Sequence, residues 1–272
     1  MIELTLRDRV IRTELPSFVM GIVNATPDSF WEKSRTINLD ALKLIEDGAD
    51  IIDVGGESTR PGSGYIDAEE EIRRIVPVIR EIRKNSDVAI SVDTRKKAVM
   101  EAAFNEGADI LNDVSAMEDD SEMASFCAEK GIPVILMHKR GIPSQMQLNT
   151  EYSDIFEDVS SYLNDRAEIA IKAGISPEKI IVDPGIGFGK SLEGNVSLIR
   201  NLKNLCDGKY TILMALSRKT CIGQMTGRDV PERLAGTLAA DLVSVLNGAK
   251  IVRVHDVKET VDTLKVLRYT YF

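Results

Sequence analysis

One short pattern of hydrophobic and polar positions returns along the chain. An amphipathic stretch ends in glycine, a short apolar run follows, and a polar residue closes that run, as in EDGADIIDVGG, NEGADILNDVS, EKGIPVILMH, KAGISPEKIIVDPG and NGAKIVRVHD. The glycines stand where the C-terminus of a helix needs a left-handed residue. The apolar runs are continuous rather than alternating, which is typical of strands buried on both faces. The pattern therefore predicts helices that alternate with buried strands.

Eight apolar runs predict eight strands, at about 18–23, 50–54, 88–92, 109–112, 133–137, 179–183, 211–216 and 250–254. Helical periodicity falls between them, at about 38–47, 67–84, 95–106, 120–130, 153–173, 192–204 and 231–247. Strands that alternate with helices form a parallel sheet. The count of eight, with no shift of composition along the chain, predicts a TIM (β/α)8 barrel that spans 1–272 as one domain. An open doubly wound sheet is the structural alternative.

The residues before the first barrel strand predict a β-hairpin. Ile2, Leu4 and Leu6 alternate with polar residues, and the charged run 7–9 follows them. We expect this hairpin, residues 1–17, to cover the floor of the barrel.

Composition and charge narrow the class of protein. The chain has 272 residues, of which 43% are hydrophobic, and its net charge of -9 argues against a nucleic-acid partner. Its three cysteines form no C-x-x-C pair, which favours free thiols in a reducing compartment. The N-terminus lacks the apolar core of a signal peptide, and no apolar window reaches the length of a membrane span. We therefore expect a cytoplasmic enzyme with no membrane partner.

Polar side chains close all eight predicted strands. In barrels of this kind the carboxyl ends of the strands carry the chemistry, and these ends meet at one mouth. The sequence therefore predicts a single polar site. Its candidates are Asn24, Asp53 with Glu57, Asp93, Asn112, His138, Asp183, Ser217 through Lys219, and Arg253 with His255.

Two carboxylates and one carboxamide stand out among these candidates. Asp93 could instead cap the following helix, Asn112 could satisfy loop backbone groups, and Asp183 could serve a turn with Pro184. An ionised carboxylate only accepts hydrogen bonds, whereas a carboxamide both donates and accepts them. Together the three side chains suit a planar heterocycle that has adjacent N–H donors and ring-nitrogen acceptors.

Other strand ends carry groups that suit an anion. Arg253 and His255 are two residues apart on one strand, and Arg60 and Asn24 add further donors, a set that matches a pyrophosphate. A solvated, charge-rich strand end is the alternative. The other histidine, His138, also follows a strand, but a lone histidine is more often structural than catalytic.

The segment after the seventh strand is a second candidate for anion binding. Lys219 lies where barrels often bind phosphate, and Thr220 opens a helix whose free N–H groups favour an anion such as a carboxylate.

The string DPGIGFGKS resembles two nucleotide-binding motifs and matches neither. A phosphate-binding P-loop needs glycine where Pro184 stands, and the glycine spacing is not that of the dinucleotide fingerprint. We interpret it as a strand-end turn that places Phe188 over the site.

With these residues in place, the chain resembles dihydropteroate synthase, a family of the folate pathway. Eight segments carry the resemblance in this order: MGIVNATPDSF (20–30), GADIIDVGGESTRPG (48–62), SVDTRK (91–96), ILNDVSA (110–116), VILMHKRG (134–141), DPGIGFGK (183–190), LSRK (216–219) and RVHD (253–256).

The resemblance implies a transferase that condenses 4-aminobenzoate with the pyrophosphate ester of 6-hydroxymethyl-7,8-dihydropterin. It also implies Mg²⁺ as the cofactor and a homodimer, for which the apolar helix at 234–246, expected to be the last long helix, offers a surface; packing against its own barrel would explain that helix equally well. Because pyrophosphate leaves readily once it is neutralised, we expect a largely dissociative displacement.

The resemblance also implies roles for individual residues. Asp93, Asn112, Asp183 and Lys219 match the pterin-binding positions, and among them Lys219, Asp93 and Asp183 are the catalytic candidates. Asn24 matches the residue near the metal. The pyrophosphate positions are Arg60, Arg253 and His255, the aminobenzoate positions are Thr59, Pro61, Phe188 and Thr220, and the first loop contributes Asp28 and Phe30.

The chain departs from the family pattern in its first loop. After TPDSF it runs Trp31 to Arg35 without glycine, and the helix predicted at about 38–47 is about one turn shorter than is typical. Two rival functions share the fold: a pterin-binding methyltransferase module, which has no need for the anion-binding set, and a catalytically silent pterin-binding protein.

Overall fold

The computed structural model describes residues 1–25, 34–58, 64–141 and 149–271. Eight parallel strands form a closed barrel in the order β10-β3-β4-β5-β6-β7-β8-β9, and β1 pairs with β2 in a separate antiparallel sheet. The closed barrel confirms the predicted architecture and excludes the open doubly wound sheet.

The strands are β1 Ile2–Thr5, β2 Val10–Thr13, β3 Phe18–Asn24, β4 Ile51–Gly55, β5 Ala89–Asp93, β6 Ile110–Asp113, β7 Val134–Met137, β8 Ile180–Asp183, β9 Thr211–Met214 and β10 Ile251–Val254. The helices of the described ranges are α1 Ser34–Glu46, α2 Ala68–Asn85, α3 Lys97–Asn105, α4 Met123–Lys130, α5 Ile155–Ala173, α6 Leu192–Arg200, α7 Thr220–Thr226, α8 Leu234–Leu246 and α9 Val257–Tyr271. Short 3-10 helices lie at Pro177–Lys179, Leu202–Gly208 and Val230–Glu232.

Three helix predictions need correction. α1 spans Ser34–Glu46, so it begins about one turn before the predicted start at 38. The helix predicted at 192–204 ends at Arg200, and a 3-10 segment follows at Leu202–Gly208, in which the backbone turns left-handed at Cys206 and Asp207. α9 was not predicted, although Val257, Val261 and Leu264 repeat at helical spacing and are buried; the expectation that α8 is the last long helix was therefore wrong.

The side chains inside the barrel change from apolar to polar at one level. On β4, Ile52 and Val54 face the surrounding helices, whereas Ile51 and Asp53 face the interior. Ile51 belongs to a buried apolar layer that crosses the barrel, and Asp53 lies one step above it. The same step from apolar to polar occurs on four other strands, at Ala89 to Ser91, Ile110 to Asn112, Ile181 to Asp183 and Ile251 to Arg253.

The N-terminal hairpin covers the amino end of the barrel, as predicted. Leu4 and Leu6 are 3% and 1% exposed and belong to the same apolar layer as Ile51 and Ile251. Their burial seals the floor, so the polar interior opens only at the carboxyl ends of the strands. None of the helices in the described ranges is both long and apolar enough to cross a membrane.

Candidate active site

A hydrogen-bonded network of charges forms the deepest part of the polar interior. Arg253 donates from Nε to Asp53 Oδ2 at 2.6 Å and from Nη2 to Asp93 Oδ2 at 2.9 Å. Asn112 donates from Nδ2 to Asp53 Oδ2 at 3.2 Å. Because the carboxylate of Asp53 only accepts, it turns the amide nitrogen of Asn112 toward itself and leaves Oδ1 as the remaining acceptor.

Asp93 lies at the last position of β5, beside Gly55 of β4 and Asn112 of β6. Burial raises the pKa of this carboxyl to about 7, against the opposing charge of Arg253. Lys96, not Asp93, precedes the first turn of α3. The helix-capping alternative for Asp93 was therefore wrong, and its side chain belongs to the interior network.

Asp183 and Lys219 form a second polar group at the end of β8. The Asp183 side chain is buried and accepts a hydrogen bond from the Gly185 backbone N–H at 2.7 Å, so it also serves the turn considered above. Burial raises the pKa of Asp183, and the charge of Lys219 opposes this. Burial lowers the pKa of Lys219 to about 8, while Asp183 opposes that change.

Lys219 also contacts the glycine string that follows β8. Its Nζ donates to the carbonyl oxygen of Ile186 at 2.6 Å and lies 4.8 Å from the centre of the Phe188 ring. The predicted turn thus places Phe188 beside Lys219. The ammonium and the aromatic ring together border the polar interior.

Two contacts join the loops that follow β9 and β10. Ser217 Oγ lies 2.9 Å from Nδ1 of His255, and Arg218 donates from Nε and Nη2 to Asp256 at 2.9 and 2.6 Å. Arg218 has a left-handed backbone, with φ of 56°. The two pairs join the segment that precedes Lys219 to the segment that carries His255, whereas Arg253 bonds inside the barrel. Nothing in the local sequence pattern predicted the Arg218–Asp256 pair, because its partners are 38 residues apart.

Thr220 is exposed at the first position of α7, as predicted. Asn24 is exposed at the last position of β3, where it lies in register with Gly55. The structure therefore brings both residues to the carboxyl end of the barrel.

His138 does not join the network. It is buried, its Nδ1 lies 2.9 Å from Nζ of Lys190, and its ring meets the Tyr162 ring edge to face. Burial lowers the pKa of His138 to about 3, so the imidazole is neutral at physiological pH. These contacts favour the structural interpretation of this histidine.

Glu57 serves as a link between loops. It accepts from the Ile66 backbone N–H at 2.8 Å, from Arg95 Nε at 3.0 Å and from Lys96 Nζ at 2.8 Å. Its carboxylate is thus occupied in joining the segment after β4 to the segment after β5. Five further candidates lie outside the described residues: Asp28, Phe30, Thr59, Arg60 and Pro61.

The residues of the site fit a magnesium ion only if the protein supplies few of its ligands. Within the described ranges, no three His, Cys, Asp or Glu side chains lie together as a metal site would require. Mg²⁺ prefers oxygen ligands, usually keeps several waters, and is usually held by one or two protein carboxylates together with substrate phosphates. Asn24 is exposed and offers one neutral carboxamide oxygen, so the substrate and water would have to supply most of the ligands.

Residues 20–255 match the family model described as pterin binding enzyme. The dihydropteroate synthase of Haemophilus influenzae is 42% identical over 257 residues, covering 93% of each chain, and that of Escherichia coli K12 is 43% identical over 93% of this chain and 91% of its own.

Solved structures give the same result. The Xanthomonas albilineans dihydropteroate synthase with 4-aminobenzoic acid superposes with a TM-score of 0.91 at 40% identity, covering 98% of this chain and 97% of that one. The same enzyme in complex with 7,8-dihydropteroate gives 0.88 at 38% identity, covering 98% of both. The chain therefore belongs to the pterin-binding enzyme family and, within it, to the dihydropteroate synthases.

Proposed function

We propose that the protein condenses (7,8-dihydropterin-6-yl)methyl diphosphate with 4-aminobenzoate to give 7,8-dihydropteroate and diphosphate, a step of folate biosynthesis. The observation that carries the proposal is the buried layer of acceptors, Asp93, Asn112 and Asp183, beside the ammonium of Lys219. A 7,8-dihydropterin offers a matching edge of N–H donors and one carbonyl oxygen.

In this proposal the strand ends bind the pterin ring. Asp93, Asp183 and Oδ1 of Asn112 accept its N–H hydrogens, and Lys219 donates to its carbonyl oxygen. Asp53 orients Asn112 and Arg253 from beneath. Buried carboxylates also stabilise the positive charge that spreads over the ring as the C–O bond to diphosphate lengthens, which favours a dissociative displacement.

In this proposal the diphosphate leaves toward the cationic side chains of the site. Arg253 has five N–H donors, of which Asp53 and Asp93 take two, and we assign it together with His255 and Arg60 to the diphosphate. Asn24 would hold Mg²⁺, which when bound neutralises the leaving oxygens. The cationic groups lower the cost of the negative charge that develops there.

The 4-aminobenzoate completes the site. We assign its ring to Phe188 with Thr59 and Pro61, and its carboxylate to the start of α7 at Thr220. We assign Asp28 and Phe30 of the first loop to the same substrate. The arylamine then attacks the methylene carbon and loses a proton to water.

A direct assay tests the proposal. The protein is mixed with Mg²⁺, the pterin diphosphate and 4-aminobenzoate, and both dihydropteroate and diphosphate are measured. Asp183→Asn should keep the fold and lower turnover by about tenfold to hundredfold, because a charged acceptor is lost. Folded wild-type protein that gives no product would contradict the proposal and leave the methyltransferase or the silent binding protein.

We also propose that the protein is a cytoplasmic homodimer. The three cysteines are buried free thiols, which suits a reducing compartment. For the dimer, the support is α8, which presents Val243 and Leu246 at the surface, 42% and 38% exposed.

A further inference from the structure

The loop between β8 and α6 carries three glycines in left-handed conformations. Gly185, Gly187 and Gly189 have φ angles of 67°, 86° and 69°. A Cβ on Gly185 would lie 1.9 Å from the carbonyl oxygen of His138, so the loop backbone packs directly on the segment after β7. A loop of this shape cannot form the regular backbone hydrogen bonds of a helix or sheet. Its buried carbonyl oxygens therefore need hydrogen-bond donors from side chains or from other segments.

Lys190 ends this loop and supplies those donors. Its side chain is 3% exposed, and Nζ donates to Gly185 O at 2.9 Å, to Phe188 O at 3.1 Å and to His138 O at 3.3 Å. Nζ also lies 2.9 Å from Nδ1 of His138. One buried amine therefore joins two carbonyls of the loop to the neighbouring strand end.

The bonds to the two loop carbonyls, Gly185 O and Phe188 O, do not depend on the charge of the amine. Burial lowers the pKa of Lys190 to about 7, so both forms are populated near neutral pH. The ammonium has three N–H donors. The neutral amine has two, and its lone pair can accept a hydrogen from Nδ1 of His138. In either form two donors are available for Gly185 and Phe188.

Lys190 and Lys219 act on the same loop and share one residue, Phe188. The carbonyl of Ile186 accepts from Lys219, and Ile186 lies between the two pinned carbonyls; the ring of Phe188 borders the same ammonium. From the other side, Asn195 Oδ1 accepts from the Gly187 backbone N–H at 2.9 Å. The contacts of Lys219 thus depend on a loop whose shape is fixed by hydrogen bonds to Lys190 and Asn195.

We propose that Lys190 is a positioning residue for the condensation: by binding the carbonyls of Gly185 and Phe188, it sets the Ile186 carbonyl and the Phe188 ring against Lys219 and the aminobenzoate. This inference rests on the proposed function. The competing role is structural only, in which Lys190 stabilises the carboxyl end of β8 without effect on the substrates.

The test compares two lysines that flank β8. Lys190→Met keeps the aliphatic stem and removes the donors. Lys179→Met is the matched control, because Lys179 Nζ also donates to a glycine carbonyl, Gly131 O at 2.9 Å, at the amino end of the barrel. Lys190→Gln restores part of the hydrogen bonding without a charge. For each variant, kcat, both KM values and the melting temperature are measured.

We expect Lys190→Met to raise KM for 4-aminobenzoate by about tenfold, because the Phe188 carbonyl is no longer held and the Phe188 ring, which we assign to this substrate, shifts. KM for the pterin diphosphate should change less, because Asp93 and Asn112 are held by strands and not by this loop. Lys190→Gln should fall between wild type and Lys190→Met. Lys179→Met should lower the melting temperature and leave both KM values unchanged.

The proposal is overturned if wild type turns over and Lys190→Met keeps its KM for 4-aminobenzoate. If Lys190→Met does not fold, Lys190→Gln decides, and a wild-type KM in that variant overturns the proposal. Wild-type protein without any turnover would reject the proposed function itself, and this inference with it.

Discussion

At the scale of single residues, the site depends on carboxylates that are buried before any substrate arrives. Asp53 is fully buried and accepts from Arg253 and Asn112, and Asp93 shares the same guanidinium. Removing one partner of such a network leaves an uncompensated buried charge, which costs several kcal/mol, about 3–5. The network therefore fixes both the geometry of the pterin site and its protonation.

Asp93 gives the site a pH dependence of predictable sign. With its pKa raised to about 7 by burial, Asp93 is protonated below that pH, and a protonated carboxyl cannot accept from the pterin at the bonded oxygen. We expect kcat/KM for the pterin diphosphate to rise with pH through about 7. In Asp93→Asn the part of this rise that Asp93 causes should disappear. Any rise caused by ionisation of the diphosphate should occur in both proteins. An unchanged rise through about pH 7 in Asp93→Asn would contradict the assignment.

The same carboxyl acts on stability in the opposite direction. Its ordinary pKa is about 3.9 in the unfolded chain. Between about pH 4 and 7 the native state binds more protons than the unfolded state, so the contribution of Asp93 to stability falls as pH rises through this window. Asp93 therefore favours binding over a pH range in which its own contribution to the stability of the free protein falls.

At the scale of elements, the amino-terminal hairpin closes the apolar half of the barrel. Leu4 pairs with Ile11 across the hairpin, and Leu4 and Leu6 both reach the interior layer. Their side chains exclude water from the floor on which the polar layer rests. The hairpin is thus part of the core and not an appendage.

Leu6→Ala tests this role. Truncating a leucine that is 1% exposed leaves a cavity, and we expect the free energy of unfolding to fall by about 3 kcal/mol. Urea unfolding measures the loss, and KM values should stay unchanged because the site lies at the other end of the strands. Val10→Ala on β2, where the side chain is 38% exposed, should cost less than about 0.5 kcal/mol. Equal losses in the two variants would show that Leu6 is not a core residue.

The sequence predicted these elements better than it predicted their partners. Continuous apolar runs located all eight strands, because a strand that is buried on both faces is apolar at nearly every position. The polar residues at the strand ends then placed Asp93, Asn112 and Asp183 in one site. Local pattern could not indicate that His138 would meet Lys190, since that contact joins residues 52 positions apart through the packing of two loops.

At the scale of the whole molecule, α8 is unusual because it buries polar residues against the barrel and exposes apolar ones. Its sequence LAGTLAADLVSVL is strongly apolar, yet the residues buried against the barrel include Thr237, Asp241 and Ser244. Within the described part of the chain, neither carboxyl oxygen of Asp241 has a hydrogen-bond partner, and burial raises the pKa of Asp241 well above its ordinary value. Packing against its own barrel explains Val245, Ala240 and Leu242, but it does not explain the exposed Val243 and Leu246.

The exposed face of α8 is the surface on which we expect a second copy to pack. A twofold interface buries the same residues from both chains, so each substitution acts twice. Val243→Glu places two unpaired carboxylates in that interface, where burial of a charge is costly, and should yield a folded monomer by light scattering. Val266→Glu on α9, where the side chain is 61% exposed, is the control and should remain dimeric. A dimeric Val243→Glu would place the interface elsewhere, and a monomeric wild type would show that there is none. In either case the apolar face of α8 would need another occupant.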